Sequence, residues 1–102
     1  MTTALTSKQR AHLRAQANGL DAILYVGKEG IGGNLVKQTA DALTARELIK
    51  GCTLENAPVS AQEAAEALSA ATDSHTVQVI GRRFVLYREN KALPADKKIQ
   101  LS

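Results

Sequence analysis

Apolar residues recur along this chain with changing spacing, and each spacing predicts an element. Leu13, Ala17 and Leu20 fall at i, i+4 and i+7, the buried stripe of a helix. Thr6 and Gln9 stand ahead of it at the separation of a capping box, in which hydroxyl and amide satisfy each other's backbone donors. Asn18-Gly19 predicts the stop, because glycine takes the left-handed conformation a helix end favours. Residues 22–26 are an unbroken apolar run with β-branched and aromatic members, predicted as a buried strand. A second helix is expected from Gly33 or Asn34, with Leu35, Val36, Thr39, Ala40 and Leu43 along one side and Lys37 and Asp41 on the other. Residues 48–54 read as a second strand, in which Gly51 marks a weak point or a bulge.

The pattern then repeats with smaller residues. Ala57-Pro58 turns the chain, and Ser60 with Glu63 forms a second capping box. Ala64, Ala65, Leu68 and Ala71 give the third helix a small-residue stripe suited to close packing on a sheet. Residues 76–80 and 84–87 are two strands joined by Gly81-Arg82-Arg83, a hairpin. The order is αβαβαββ, an α/β (α+β) arrangement in which one four-stranded sheet carries helices packed on it. No repeat or linker divides the chain, so one domain is expected over 4–90. Residues 91–102, with Pro94 and three lysines, are expected to form a basic, mobile C-terminal tail.

Composition narrows the function classes. A chain of 102 residues, 44% hydrophobic and 23% charged, has the balance of one globular domain. One cysteine excludes an internal disulfide and points to a reducing compartment. With no apolar run of membrane-spanning length and no export signal in the first ten residues, a soluble cytoplasmic protein is expected. The charge is uneven: residues 1–50 carry a net +3, residues 51–75 a net −4 and residues 76–102 a net +4. Basic ends around an acidic middle are compatible with a polyanionic partner.

Catalysis finds little support. Cys52, His12 and His75 are far apart in sequence, with neither the signature of a nucleophile and base nor the spacing of metal ligands. One Phe and two Tyr are a poor supply for a platform on which bases stack. The informative feature is glycine: four of the seven fall within seven residues, at positions 27, 30, 32 and 33. Gly27-Lys28-Glu29-Gly30 between a strand and a helix would present backbone N–H groups, the positive end of the helix and the Lys28 ammonium to a phosphate. The loop lacks the Gly-Lys-Ser/Thr ending of nucleoside-triphosphate loops and has the form of the Gly-x-x-Gly loop that clamps a nucleic-acid backbone. Arg10 and Arg14 flank the first helix's apolar stripe, Lys8 points away from it, Arg82 and Arg83 sit at the hairpin tip, and Arg88 follows the last strand. If the first helix lies beside the loop, Arg10, Arg14 and Lys28 form one surface.

The stretches at residues 5–14, 26–30, 47–50, 77–82 and 85–88 together resemble the bacterial YhbY-type family, stand-alone CRM (chloroplast RNA splicing and ribosome maturation) domains, in order and spacing over about residues 4–90. The resemblance implies a fold like the C-terminal domain of translation initiation factor three, with a mixed sheet. It also implies RNA binding through Gly27, Lys28, Glu29 and Gly30 with the adjoining basic surface, Lys8, Arg10 and Arg14 falling on the basic first helix; Arg82 and Arg83 at the hairpin join them as expected RNA contacts by their charge. The implied partner is ribosomal RNA in precursors of the large subunit, and the implied role is assistance in ribosome assembly in the cytoplasm. No catalysis, cofactor, metal, membrane or small-molecule substrate is expected, and the protein is expected to be a monomer. Two departures stand out: Gly32-Gly33 where relatives carry a polar cap such as Thr, and Gly51-Cys52 in place of a β-branched and a basic residue. The alternative is a protein-interaction module that docks a ribosomal protein without touching RNA.

Overall fold

Both capping boxes close. In the computed structural model, which describes residues 5–94, the Thr6 hydroxyl accepts from the Gln9 N–H at 3.1 Å and the Gln9 amide oxygen from the Thr6 N–H at 3.0 Å. Ser60 and Glu63 do the same at 3.1 and 2.9 Å. These caps start α1 (Ser7–Ala17) and α3 (Ala61–Thr72). The other elements are β1 (Leu24–Val26), α2 (Gly33–Arg46), β2 (Leu48–Thr53), β3 (His75–Ile80) and β4 (Arg83–Tyr87). The four strands form one mixed sheet in the order β1-β2-β4-β3, with β1 parallel to β2 and the other pairs antiparallel. The expected α+β order and mixed sheet are found.

Several local expectations are corrected. Gly19 does not take the left-handed conformation. Instead α1 unwinds through Asn18 in a right-handed turn, with the Gly19 and Leu20 N–H groups donating to Gln16 O and Ala17 O. Leu20 therefore lies beyond the helix and is exposed rather than part of its stripe. The first strand is three residues long and only half-buried, with Leu24 and Val26 inward and Tyr25 outward, because β1 is an edge with one face open. Arg83 belongs to β4, leaving a two-residue turn of Gly81, at φ 59°, and Arg82. On α3 the buried stripe ends at Thr72 while Ala71 faces solvent, since a helix returns to its own face after four residues.

Gly51 is neither a weak point nor a bulge. It pairs in register with Leu24 and with Phe84, and a Cβ there would run into the Phe84 ring. The missing side chain is the space in which that ring lies. The irregularity is in β3 instead, where one extra residue falls between Thr76 and Gln78. Val77 and Gln78 thus both oppose Val85, the two-against-one arrangement of a β-bulge.

The sheet separates two apolar clusters. On one face Leu24, Val26, Ile49, Phe84 and Leu86 meet Leu43 of α2 and Ala61, Ala64, Ala65 and Leu68 of α3. On the other, Leu48, Val77, Val85 and Tyr87 are covered by Leu13 and Ala17 of α1. Arg88 ties the helices of the first face together: its guanidinium donates to Thr72 O at 2.9 Å, Ala40 O at 3.0 Å and the Thr44 hydroxyl at 2.8 Å. The chain after β4 is anchored as far as Asn90, whose N–H donates to the buried Glu47 carboxylate at 2.6 Å and whose side-chain amide donates to Thr44 O at 2.7 Å. Of the expected tail, residues 91–94 form a turn exposed except at the half-buried Leu93, and residues 95–102 lie outside the described residues.

Candidate nucleic-acid interface

β1 ends at Val26, in register with Thr53, and the chain turns at once. The Gly30 N–H donates to Gly27 O at 3.0 Å, which holds Lys28 and Glu29 at the corners of a tight turn, both exposed. Gly30 has φ 69°, and a Cβ there would come within 3.1 Å of Pro58. Conformation and space both require glycine at this position. Ile31 then packs against the core, pulling the chain inward so that α2 begins immediately behind the turn.

The start of α2 differs from the other two. Its N-cap is Gly32, extended at φ −113°, with no side-chain hydrogen bond to the first turn. The first N–H groups of a helix have no intrahelical acceptor, and here no hydroxyl or carboxylate closes them. They face a hollow of about 630 Å³ lined by Gly27, Lys28, Gly30, Gly33, Asn34 and Asn56, among others. Lys28 supplies a cation at its rim and Glu29 an anion beside it. Such a concavity suits an anion held by backbone donors and one flexible ammonium.

The remaining candidate residues divide into two groups. Arg82, in the turn between β3 and β4, lies at the end of the sheet that carries the loop. Its carbonyl accepts from the Thr53 N–H at 2.6 Å, and its guanidinium is 3.7 Å from the exposed Glu55, the neighbour of Asn56. Arg83 pairs with Cys52 and Ile80 and is exposed on the side of the sheet that α1 occupies. The residues of α1 are elsewhere. That helix lies across β2 and β3, seated on Leu48, Val77, Val85 and Tyr87, away from the Val26–Thr53 end of β1. Arg10, held at Thr76 of β3, is at the other end of the sheet from Lys28, so the expected single surface of Arg10, Arg14 and Lys28 does not include Arg10.

Arg10 has a different task. Its guanidinium donates to Thr76 O at 2.5 Å and Val77 O at 3.5 Å, carbonyls at the bulge in β3. A bulge disturbs the hydrogen-bond ladder, and Arg10 supplies donors there. Lys8 and Arg14 remain exposed on α1. Around this contact, His75 stacks on Tyr87 with ring centroids 6.3 Å apart. Burial, with the Arg10 charge second, holds the His75 imidazole below its usual pKa. Burial, then the carboxylates of Glu47 and Glu89, pushes the Tyr87 phenol up to about 12. Among the described residues no three His, Cys, Asp or Glu side chains gather as metal ligands, and no helix is long and apolar enough to cross a membrane.

One residue stood outside the candidates assigned to RNA from the sequence. Tyr25 is 58% exposed, lines the same hollow as the glycine loop, and has its hydroxyl donating to Ala22 O at 3.1 Å. Alternation of Leu24, Tyr25 and Val26 was the available signal, but the flanking apolar residues hid it.

Known proteins share both the sequence and the fold. The family described as the CRS1 / YhbY (CRM) domain matches residues 5–88. The probable RNA-binding protein YqeI of Bacillus subtilis is 45% identical over 97 residues, covering 95% of this chain and 98% of its own. An RNA-binding protein of Haemophilus influenzae is 30% identical over 99 residues, covering 97% and 96%. A probable RNA-binding protein of Methanocaldococcus jannaschii is 36% identical over 86 residues, covering 82% of this chain and 63% of its own. The solution structure of the hypothetical protein SAV1595 of Staphylococcus aureus superposes with a TM-score of 0.78 at 45% identity, covering 97% of this chain and all of that one.

Proposed function

The chain belongs to the CRS1 / YhbY (CRM) domain family, and from that premise we propose that it is a non-catalytic RNA-binding protein that joins precursors of the large ribosomal subunit and assists their assembly. The observation that carries the reading is the open N-terminus of α2 behind the Gly27–Gly30 turn. A phosphate seated there receives backbone N–H donors and the positive end of the helix, and Lys28 adds a mobile cation. Arg82 lies at the same end of the sheet, within reach of a neighbouring phosphate, and Arg83 continues the positive charge onto the sheet. Lys8 and Arg14 on α1 are free to meet a more distant part of a folded RNA, whereas Arg10 serves the bulge. Contacts of this kind grip a backbone and its shape, with little reading of base sequence.

Sedimentation of cell extract through a density gradient tests the ribosomal half of the proposal. The wild-type protein is expected with particles lighter than the mature large subunit, released by nuclease and by raised salt, and Lys28→Glu is expected at the top of the gradient. Association that survives both treatments would instead assign the chain to a protein partner.

A further inference from the structure

The register of the sheet places Tyr25, Cys52, Arg83 and Ile80 opposite one another in a single row across all four strands. In-register partners point to the same side, here the side of α1. That helix does not reach them, because its buried residues sit on Leu48, Val77, Val85 and Tyr87. Cover ends at Asn18, beyond which Tyr25 is 58% and Ile80 64% exposed. Lys50, one row nearer the helix, is in register with Val85 on this same side. Tyr25, Lys50, Cys52 and Arg83 line a second hollow of about 630 Å³, with Asn18 and Asp21 at its edge. Tyr25 also lines the hollow of the glycine loop, so the two share one aromatic side chain.

We propose that this uncovered strip seats the unpaired nucleotides of an RNA whose phosphate lies in the glycine loop. The inference rests on the RNA-binding reading above and adds a substrate class to it, single-stranded rather than duplex RNA. Tyr25 presents a ring held in orientation by its hydrogen bond to Ala22 O, and a base stacks on that ring. Arg83 is two strand spacings away, about 10 Å, and its planar guanidinium offers a second stacking surface or a phosphate contact. Lys50, on the strand between them and one row nearer the helix, is a phosphate cation, and Asp21 on the β1 side turns the backbone toward Lys50 and Arg83. Two cations against one carboxylate, beside an aromatic ring and in line with a phosphate cradle, favour a nucleic acid over an apolar protein surface. A base inside a duplex cannot present its face to Tyr25, which is why the strip selects unpaired RNA.

Anisotropy titrations of the full chain with a labelled single-stranded RNA and a labelled RNA duplex of equal length, across a salt series, test this. Tyr25→Ala is expected to weaken single-stranded binding about tenfold, with the salt slope unchanged because no charge is removed. Tyr25→Phe is expected to retain most of the affinity, Arg83→Ala to flatten the slope by about one phosphate, and neither tyrosine variant to alter duplex binding. Thermal melts of these variants are expected to match wild type, since both positions are exposed. If Tyr25→Ala and Arg83→Ala bind like wild type while Lys28→Glu does not, the strip is not an RNA surface and the loop reading stands. If the wild type binds neither RNA, the RNA reading itself fails, and the strip with it.

Discussion

The two tyrosines share one face of one sheet and have opposite surroundings. Tyr87 is 3% exposed beneath α1, whereas Tyr25 is 58% exposed. The difference follows from size. A helix of 11 residues is about 16 Å long and, with its side chains, about 10 Å wide, too small to cover four strands. The half it covers is spent on stability, and the half it leaves adjoins the glycine loop. The basic residues divide in the same way. Arg10 and Arg88 donate to carbonyls inside the fold, while Lys28 stands exposed on the turn. A count of cations treats these residues alike, and only their partners separate them.

The covered half breaks most severely. Leu13→Ala removes a fully buried side chain and is expected to cost about 2–5 kcal/mol in chemical denaturation, with RNA affinity per folded molecule unchanged. Arg10→Ala is expected to cost about 1–2 kcal/mol by leaving bulge carbonyls without their donor. It should also leave the salt dependence of RNA binding as it is, and a slope reduced as much as in Lys28→Glu would return Arg10 to the RNA surface.

The covered tyrosine gives a pH signature of its own. The folded-state pKa of Tyr87 is raised to about 12 from 10.0, so its neutral form is the one the fold favours. That contribution to stability is whole below pH 10 and is lost as pH rises toward 12. Stability of the wild type is therefore expected to fall more steeply over that window than stability of Tyr87→Phe. Equal curves would contradict the shift.

The smallest effect concerns the helix starts. Gly32→Ser supplies α2 with the kind of hydroxyl that α1 and α3 already have. Melting should show a gain of a few tenths of a kcal/mol, while RNA binding is expected to weaken because the hydroxyl occupies a donor that the proposal assigns to phosphate. A stabilised variant that binds RNA as well as wild type would separate the open cap from function.

Much of the fold was legible because its signals are local. Two capping boxes, the glycine turn and the αβαβαββ order each lie within a few residues of sequence, and each formed where the spacing indicated. What escaped depends on contacts between distant segments. Gly51 reads as a defect until Phe84 is seen lying across it. Tyr25 reads as core until the sheet order makes β1 an edge strand that α1 does not reach. Arg10 reads as a phosphate ligand until a bulge sixty-six residues away supplies carbonyls for it. The glycine turn was likewise legible at Gly27–Gly30, where loop and helix are contiguous, whereas the seat of α1 was not, because only the tertiary packing sets it.

The most direct test of the central claim, that an RNA phosphate sits at the open end of α2 beside Lys28, is titration of large-subunit ribosomal RNA fragments across a salt series. Wild type, Lys28→Glu and Arg10→Ala are compared at equal folded fraction. Wild type and Arg10→Ala are expected to share one steep dependence on salt, with Lys28→Glu binding at least tenfold more weakly and with a flatter slope, by about one phosphate or more. A Lys28→Glu protein that binds with wild-type affinity and slope would show that the glycine loop does not hold the RNA.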